Sequence, residues 1–287
     1  MSTPRRDPDA AGTSGSTPAR HSSAVERIVS NPFIGFAPWI ALAILEGPGR
    51  LTLAVAVGLS IAVAFLAVDK LLGHSTKILA VVDVVAFGVF LVVVLTASPA
   101  TLEWLELWFG ELANILLVLV VAGSMVARVP FTIQYAKEQT DPAYWDSPVF
   151  LRINYLITGV WGLSFLVSAI AGFYGDLVLH DTNNVWTGWI IQVAATLVAV
   201  QFTVWYPDYA TARALESAGV PHDPAPPVAN FLLPLQGYLI AIGILELSLN
   251  AGPTWLGVAM IVFGIVAGNL LRRSVARPSM GDGATPS

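Results

Sequence analysis

The chain has 287 residues, 55% of them hydrophobic and 11% charged, with a mean hydropathy of +0.71 and a net charge of −5. Soluble domains carry about 25% charged residues, so this composition excludes an ordinary soluble domain and points to a protein held in lipid. Cysteine is absent, which removes disulfides, thiolate catalysis and cysteine metal sites, and His21, His74, His180 and His222 form no close ligand pair.

Residues 1–28 read as a disordered cytoplasmic tail, because their Ser/Thr/Pro/Ala-rich start cannot bury enough surface to offset the entropy of ordering. Ala41-Leu42-Ala43 mimics a signal-cleavage site, but it lies inside a continuing apolar run with further spans behind it. That first run, 33–46, contains Pro38 and is shorter than the roughly 20 residues a membrane crossing needs. Seven longer runs follow, at 51–68, 78–97, 104–127, 153–173, 185–205, 231–249 and 254–271. Ser98-Pro99 and Ser147-Pro148 each pair a capping residue with proline at the first helical position. Trp186, Trp189, Trp205 and Tyr206 bracket the sixth of the eight runs, where amphipathic rings favour the interfaces. The stretch 206–230 divides the chain; its first half can extend the preceding helix to about Gly219, and its Pro-rich second half is a semi-stiff linker. Gly264 and Gly268 form a small-xxx-small pair, suited to packing inside the bundle or to a homo-oligomer seam.

Basic residues decide the count. Lysine and arginine collect in cytoplasmic loops. With eight crossings and a cytoplasmic amino terminus, thirteen of the fourteen basic residues fall inside and Arg50 alone falls outside. The expected fold is therefore an all-α polytopic transmembrane helical bundle of about eight spans, with both termini cytoplasmic. Its parts are a six-span core at 29–206 with a cytoplasmic elbow at 128–148, a linker at 207–230, a two-span hairpin at 231–272 and a disordered tail at 273–287.

Polar residues within the spans are the next candidates. Asp83, Glu111 and Glu246 are acids in apolar runs, and Asn114 shares the helix face of Glu111. Intramembrane ionisable groups often mark proton or cation paths. The competing reading is a set of polar clamps between helices, to which Gln192, Gln201 and Gln236 belong. Glu46, Glu103, Glu106, Asp176 and Asp181 make the outer side acidic, which mirrors the inward sorting of positive charge. No phosphate-binding loop, dinucleotide fingerprint, GxSxG or HExxH occurs, and the basic residues are too dispersed for nucleic acid. No catalytic residue, cofactor or metal is expected.

The elbow, RVPFTIQYAKEQTDPAYWDSP, is too apolar for a free loop and too charged to span. Pro130 stops the helix before it, and Asp141-Pro142 can start a short turn. Phe131, Tyr135, Tyr144 and Trp145 have the chemistry of the headgroup layer. This places the segment along the inner membrane surface, as a lipid anchor or a docking face.

From Phe33 to about Tyr206 the chain resembles the bacterial intracellular septation protein A family of inner-membrane proteins. The resemblance rests on Phe33-Ile34-Gly35-Phe36-Ala37-Pro38, on Arg128 and Pro130-Phe131, on Trp145, on Arg152-Ile153-Asn154-Tyr155 and on Trp161-Gly162-Leu163-Ser164-Phe165. Val129 separates the basic residue from the proline that the family places beside it. The resemblance implies a non-enzymatic role in cell-envelope maintenance or septation, with membrane lipids and other envelope or division proteins as partners. Arg128, Pro130, Phe131, Trp145, Arg152, Asn154 and Trp161 would form the interaction elbow. The alternative is a proton- or cation-coupled transporter or channel using Glu111 and Asp83.

Overall fold

Serine caps, prolines and a few left-handed turns decide where this apolar chain reverses. The computed structural model describes residues 32–47, 49–73, 75–181 and 184–275. The expected tail at 1–28 lies outside the described residues, as does all but the start of the one at 273–287. A 3-10 turn, Pro32–Phe36, leads into α1 (Ala37–Leu45). Three long helices follow, α2 (Leu51–Leu71), α3 (Ile78–Thr96) and α4 (Pro99–Val126). The elbow carries the short α5 (Ile133–Gln139) and a 3-10 turn, Pro142–Tyr144. Helix α6 (Pro148–Phe173) continues as a π-turn at Tyr174–Leu179, and a second π-turn, Trp186–Ile190, opens α7 (Ile191–Ser217). The hairpin α8 (Val228–Leu249) and α9 (Thr254–Val275) completes the described chain.

Seven of these helices are long and apolar enough to cross a membrane, and no strand occurs among the described residues. The fold is an all-α polytopic bundle. The caps act as their residues dictate: Ser98 Oγ accepts from the Thr101 N–H and Ser147 Oγ from the Phe150 N–H, both at 3.2 Å. Helix α4 ends where Arg128 takes a left-handed φ of 59° and the Val129 N–H reaches back to the Ser124 carbonyl at 2.9 Å. Helix α7 runs to Ser217 and stops at Gly219, whose φ is 68°. The linker expected at 207–230 therefore shrinks to 218–227, and helix α9 runs to Val275, past the expected start of the tail.

The first apolar run resolves into the 3-10 turn plus α1, roughly 23 Å long and short of the ~30 Å hydrocarbon layer. Its ends nonetheless reach opposite ends of the bundle. Gly35 lies against the Tyr135 phenol hydroxyl from the elbow, while Glu46 approaches Gly110, and the Gly49 N–H donates to both Glu106 carboxylate oxygens at 3.0 and 3.1 Å. Helix α4, about 42 Å long at 1.5 Å per residue, overhangs it at that opposite end. Seven helices of crossing length are thus joined by one short helix that runs between opposite ends of the bundle, in keeping with the shorter first run in the sequence.

Close approach between helices is bought by glycine at two seams. Phe87 of α3, fully buried, occupies the space a Cβ on Gly58 of α2 would need, and the Glu111 carboxylate does the same at Gly172 of α6. Trp39, Phe87, Phe90 and Phe109 continue that core as a chain of edge-to-face rings. In the α8–α9 hairpin, Gly264 and Gly268 face Ile240 and Gln236 of α8, so this small-residue pair packs internally. Of the described basic residues, all except Arg50 fall at the elbow end of the bundle or just inside it.

Candidate functional site

Under the elbow, α6 and α7 diverge around a cavity of about 570 Å³. Helix α6 contributes Val149, Phe150, Ile153, Asn154, Ile157 and Trp161, which share one face of a 3.6-residue helix. Helix α7 contributes Thr203, Pro207, Thr211, Ala214 and Leu215. The helices are antiparallel, and Trp161 Nε1 donates to Thr203 Oγ1 at 3.0 Å. From that bond, steps of four residues along both helices match Ile157 with Pro207, Ile153 with Thr211 and Val149 with Leu215. The remaining wall comes from Phe33 and Phe36 before α1, and from Phe131, Thr132 and Tyr135 of the elbow. Among the described residues, none that lines the cavity is charged.

The floor is a packed aromatic group. Phe36 stacks on Trp161 with centroids 4.4 Å apart, meets Phe131 edge-on at 6.0 Å and approaches Phe165 at 5.7 Å. The Thr203 hydroxyl that accepts from Trp161 donates in turn to the Ala199 carbonyl at 2.8 Å, so neither buried polar group is left over. Pro207 has no N–H for the Thr203 carbonyl four residues earlier, which weakens the α7 ladder beside the cavity.

Two polar clusters fasten the elbow above this floor. In the first, Thr132 Oγ1 lies 2.8 Å from Thr158 Oγ1 and within 3.2 Å of the Asn154 carbonyl and amide oxygens, while Asn154 Nδ2 donates to the Phe150 carbonyl at 2.9 Å. In the second, Lys77, only 2% exposed, pairs with Asp69 and Glu138 at 3.3 Å each and sits 5.1 Å from the centre of the Tyr135 ring. The Gln134 amide oxygen accepts from the Ile78 N–H at 2.5 Å, capping α3 from the elbow. Burial, and then the carboxylates of Asp83, Asp69 and Glu138, push the Tyr135 phenol well above its usual range, so it stays neutral. At the elbow tip, Trp145 Nε1 donates to the Thr140 carbonyl at 2.9 Å, and the Lys137 ammonium lies 4.9 Å from the Trp145 ring centre.

The sequence-predicted elbow residues separate into three groups. Phe131, Asn154 and Trp161 line the cavity. Pro130 is buried at the α4 turn, and Trp145 is tied within the elbow. Arg128 and Arg152 are exposed beside it. The intramembrane acids do not join them. Asp83 accepts from Trp39 Nε1 at 2.7 Å in the α1–α3 seam. Glu111 lies towards the opposite end against Gly172, and Asn114 on the same helix reaches the Gly110 carbonyl at 3.0 Å and Gln192 Oε1 at 3.5 Å. Glu246 is fully buried in the hairpin seam beside Gly252 and Gly257, its carboxylate oxygens without a hydrogen-bond partner.

Sequence reading missed Thr132, Thr158, Thr203 and Pro207. The available signal was a proline just past the apolar run 185–205, in the helix-compatible start of 206–230, with threonines four residues to either side at Thr203 and Thr211. It also missed that Lys77 is buried.

These features define a multi-pass α-helical membrane protein with a neutral, aromatic-floored cavity at one end of its core. No protein-family model, curated protein or solved structure matches the chain.

Proposed function

We propose that this protein is a non-enzymatic integral component of the bacterial inner membrane, with both termini cytoplasmic, that serves envelope maintenance or septation through contacts at its elbow. One observation carries the reading. Segments quoted for the septation protein A resemblance lie far apart in sequence, yet Phe33, Phe36, Phe131, Asn154 and Trp161 meet around a single cavity. A chance likeness of letters has no reason to converge in space. The double fastening of the elbow adds support, because a plain connector between helices needs neither a buried ion cluster nor a threonine–asparagine clamp. The intramembrane acids occupy separate seams and line no common path, so the geometry favours contact over transport.

The test starts from the elbow tip. Ala143 is exposed, and a photo-crosslinking amino acid placed there in cells should capture a discrete envelope protein. Recovery of lipid adducts alone would refute protein docking at this face. The orientation has its own check, since the chain contains no cysteine. Thr140→Cys should resist an impermeant thiol reagent in intact cells and react after the membrane is opened. Ready labelling from outside would reverse the topology.

A further inference from the structure

The cavity has the shape of a slot rather than a bowl. Its lining runs from Val149 to Trp161 on α6 and from Thr203 to Leu215 on α7, which at 1.5 Å per residue is a length of roughly 18 Å. The 570 Å³ volume lies within the roughly 300–1,000 Å³ range of small-molecule sites, and the largely apolar lining suits a hydrocarbon chain.

Polarity is graded along the slot. At the deep end Phe36, Ile157 and Trp161 are buried, with the Trp161 indole N–H already bonded inside the protein. At the mouth Gln139, Tyr144 and Thr211 are exposed, Tyr144 by 62%. The Tyr144 and Thr211 hydroxyls there offer both donors and acceptors but no charge. A small-molecule site usually pairs such an apolar body with a few orienting polar groups.

We infer that the slot binds the single hydrocarbon chain of an uncharged lipid drawn from the surrounding membrane, tail against Trp161 and hydroxyl or ester head at Tyr144 and Thr211. An anionic head would find no cation among the described lining residues. The inference rests on the elbow as the functional region, but the occupancy of the slot is independent of any protein partner.

The test uses the purified full-length chain in maltoside micelles and a monoacylglycerol carrying a diazirine at the end of a sixteen-carbon chain. Photolabelling should saturate, map to peptides containing Phe36 and Ile157–Trp161, and be competed by unlabelled monoacylglycerol. Ala214→Trp at the mouth and Ile157→Trp in the middle should each cut saturable labelling by about tenfold, the factor expected when a few good contacts are lost. Ala214→Trp keeps the test sound if Ile157→Trp disturbs folding, and the thermal melting of each variant is measured alongside. Labelling spread over lipid-facing helices, or unaffected by Ala214→Trp in a folded protein, would overturn the site. Equal competition by the matching fatty acid at pH 8 would overturn the uncharged-head assignment. A slot that labels while Ala143 captures no protein upholds the site and sinks the docking reading; protein capture with no slot labelling does the reverse.

Discussion

Lys77→Met should destabilise the folded protein by about 3–5 kcal/mol, the usual cost of deleting one partner of a buried ion pair. The ammonium serves Asp69 of α2, Glu138 of the elbow and the face of Tyr135 together, while only 2% exposed. Methionine keeps the length and apolar stem but leaves the Asp69 carboxylate buried without its cation. The cost should fall on the elbow in particular, because Lys77 and the Gln134–Ile78 bond are its fastening to the start of α3. Denaturant titration in micelles measures the total loss, and hydrogen exchange across 131–147 should rise before the rest of the core opens. Adding Asp69→Asn removes the stranded charge and should recover part of the loss. An equal loss in the single and double variants would show that packing, not charge, is what Lys77 provides. The Arg213–Glu216 pair is a useful contrast: it is shorter, at 2.6 Å, but solvent-exposed, and Glu216→Gln should change stability little.

The difference between those two pairs is one that sequence patterning does not reveal. Hydropathy identifies the long helices because their apolar runs exceed the crossing length and Ser-Pro or Gly positions delimit them. Ser147 and Gly219 behave as their local chemistry requires, whereas Arg128 takes a left-handed turn that its side chain disfavours. Lys77, by contrast, reads as a loop cation on the basic side, since its burial depends on Glu138 and Tyr135 arriving from the elbow. The slot is half legible for the same reason. Phe131, Asn154 and Trp161 stand out as unusual residues in their own segment, whereas Thr203 and Pro207 gain meaning only once α7 takes its antiparallel register against α6. The short α1 is a third case: its length alone argues against crossing, and only its contacts at both ends show that it traverses the bundle. Local rules fix caps and lengths; register between helices is a tertiary property.

A second large effect is expected from Glu46, in the turn after α1 at the end opposite the elbow. Burial, and then the charge of Glu111, raise its carboxyl from 4.5 to about 7. A raised carboxyl binds its proton more tightly in the folded chain than in the unfolded one. Its contribution is therefore complete below about pH 4.5 and is lost as pH rises to about 7, above which the folded state carries the full cost of a buried charge. At about 1.4 kcal/mol per unit, that cost reaches about 3 kcal/mol as an upper figure, since the site is only partly sealed from water. Arg50 offers limited relief, because its guanidinium approaches the Glu46 backbone carbonyl at 3.5 Å. Thermal melting of the purified protein from pH 4.5 to 8 should show stability falling with pH, and Glu46→Gln should flatten that slope and be the more stable form at pH 8. Glu111→Gln should move the midpoint of the fall downward without abolishing it, because burial, the larger cause, remains. A Glu46→Gln protein with the same pH dependence as the parent would remove Glu46 as its source and place the loss of stability at higher pH elsewhere.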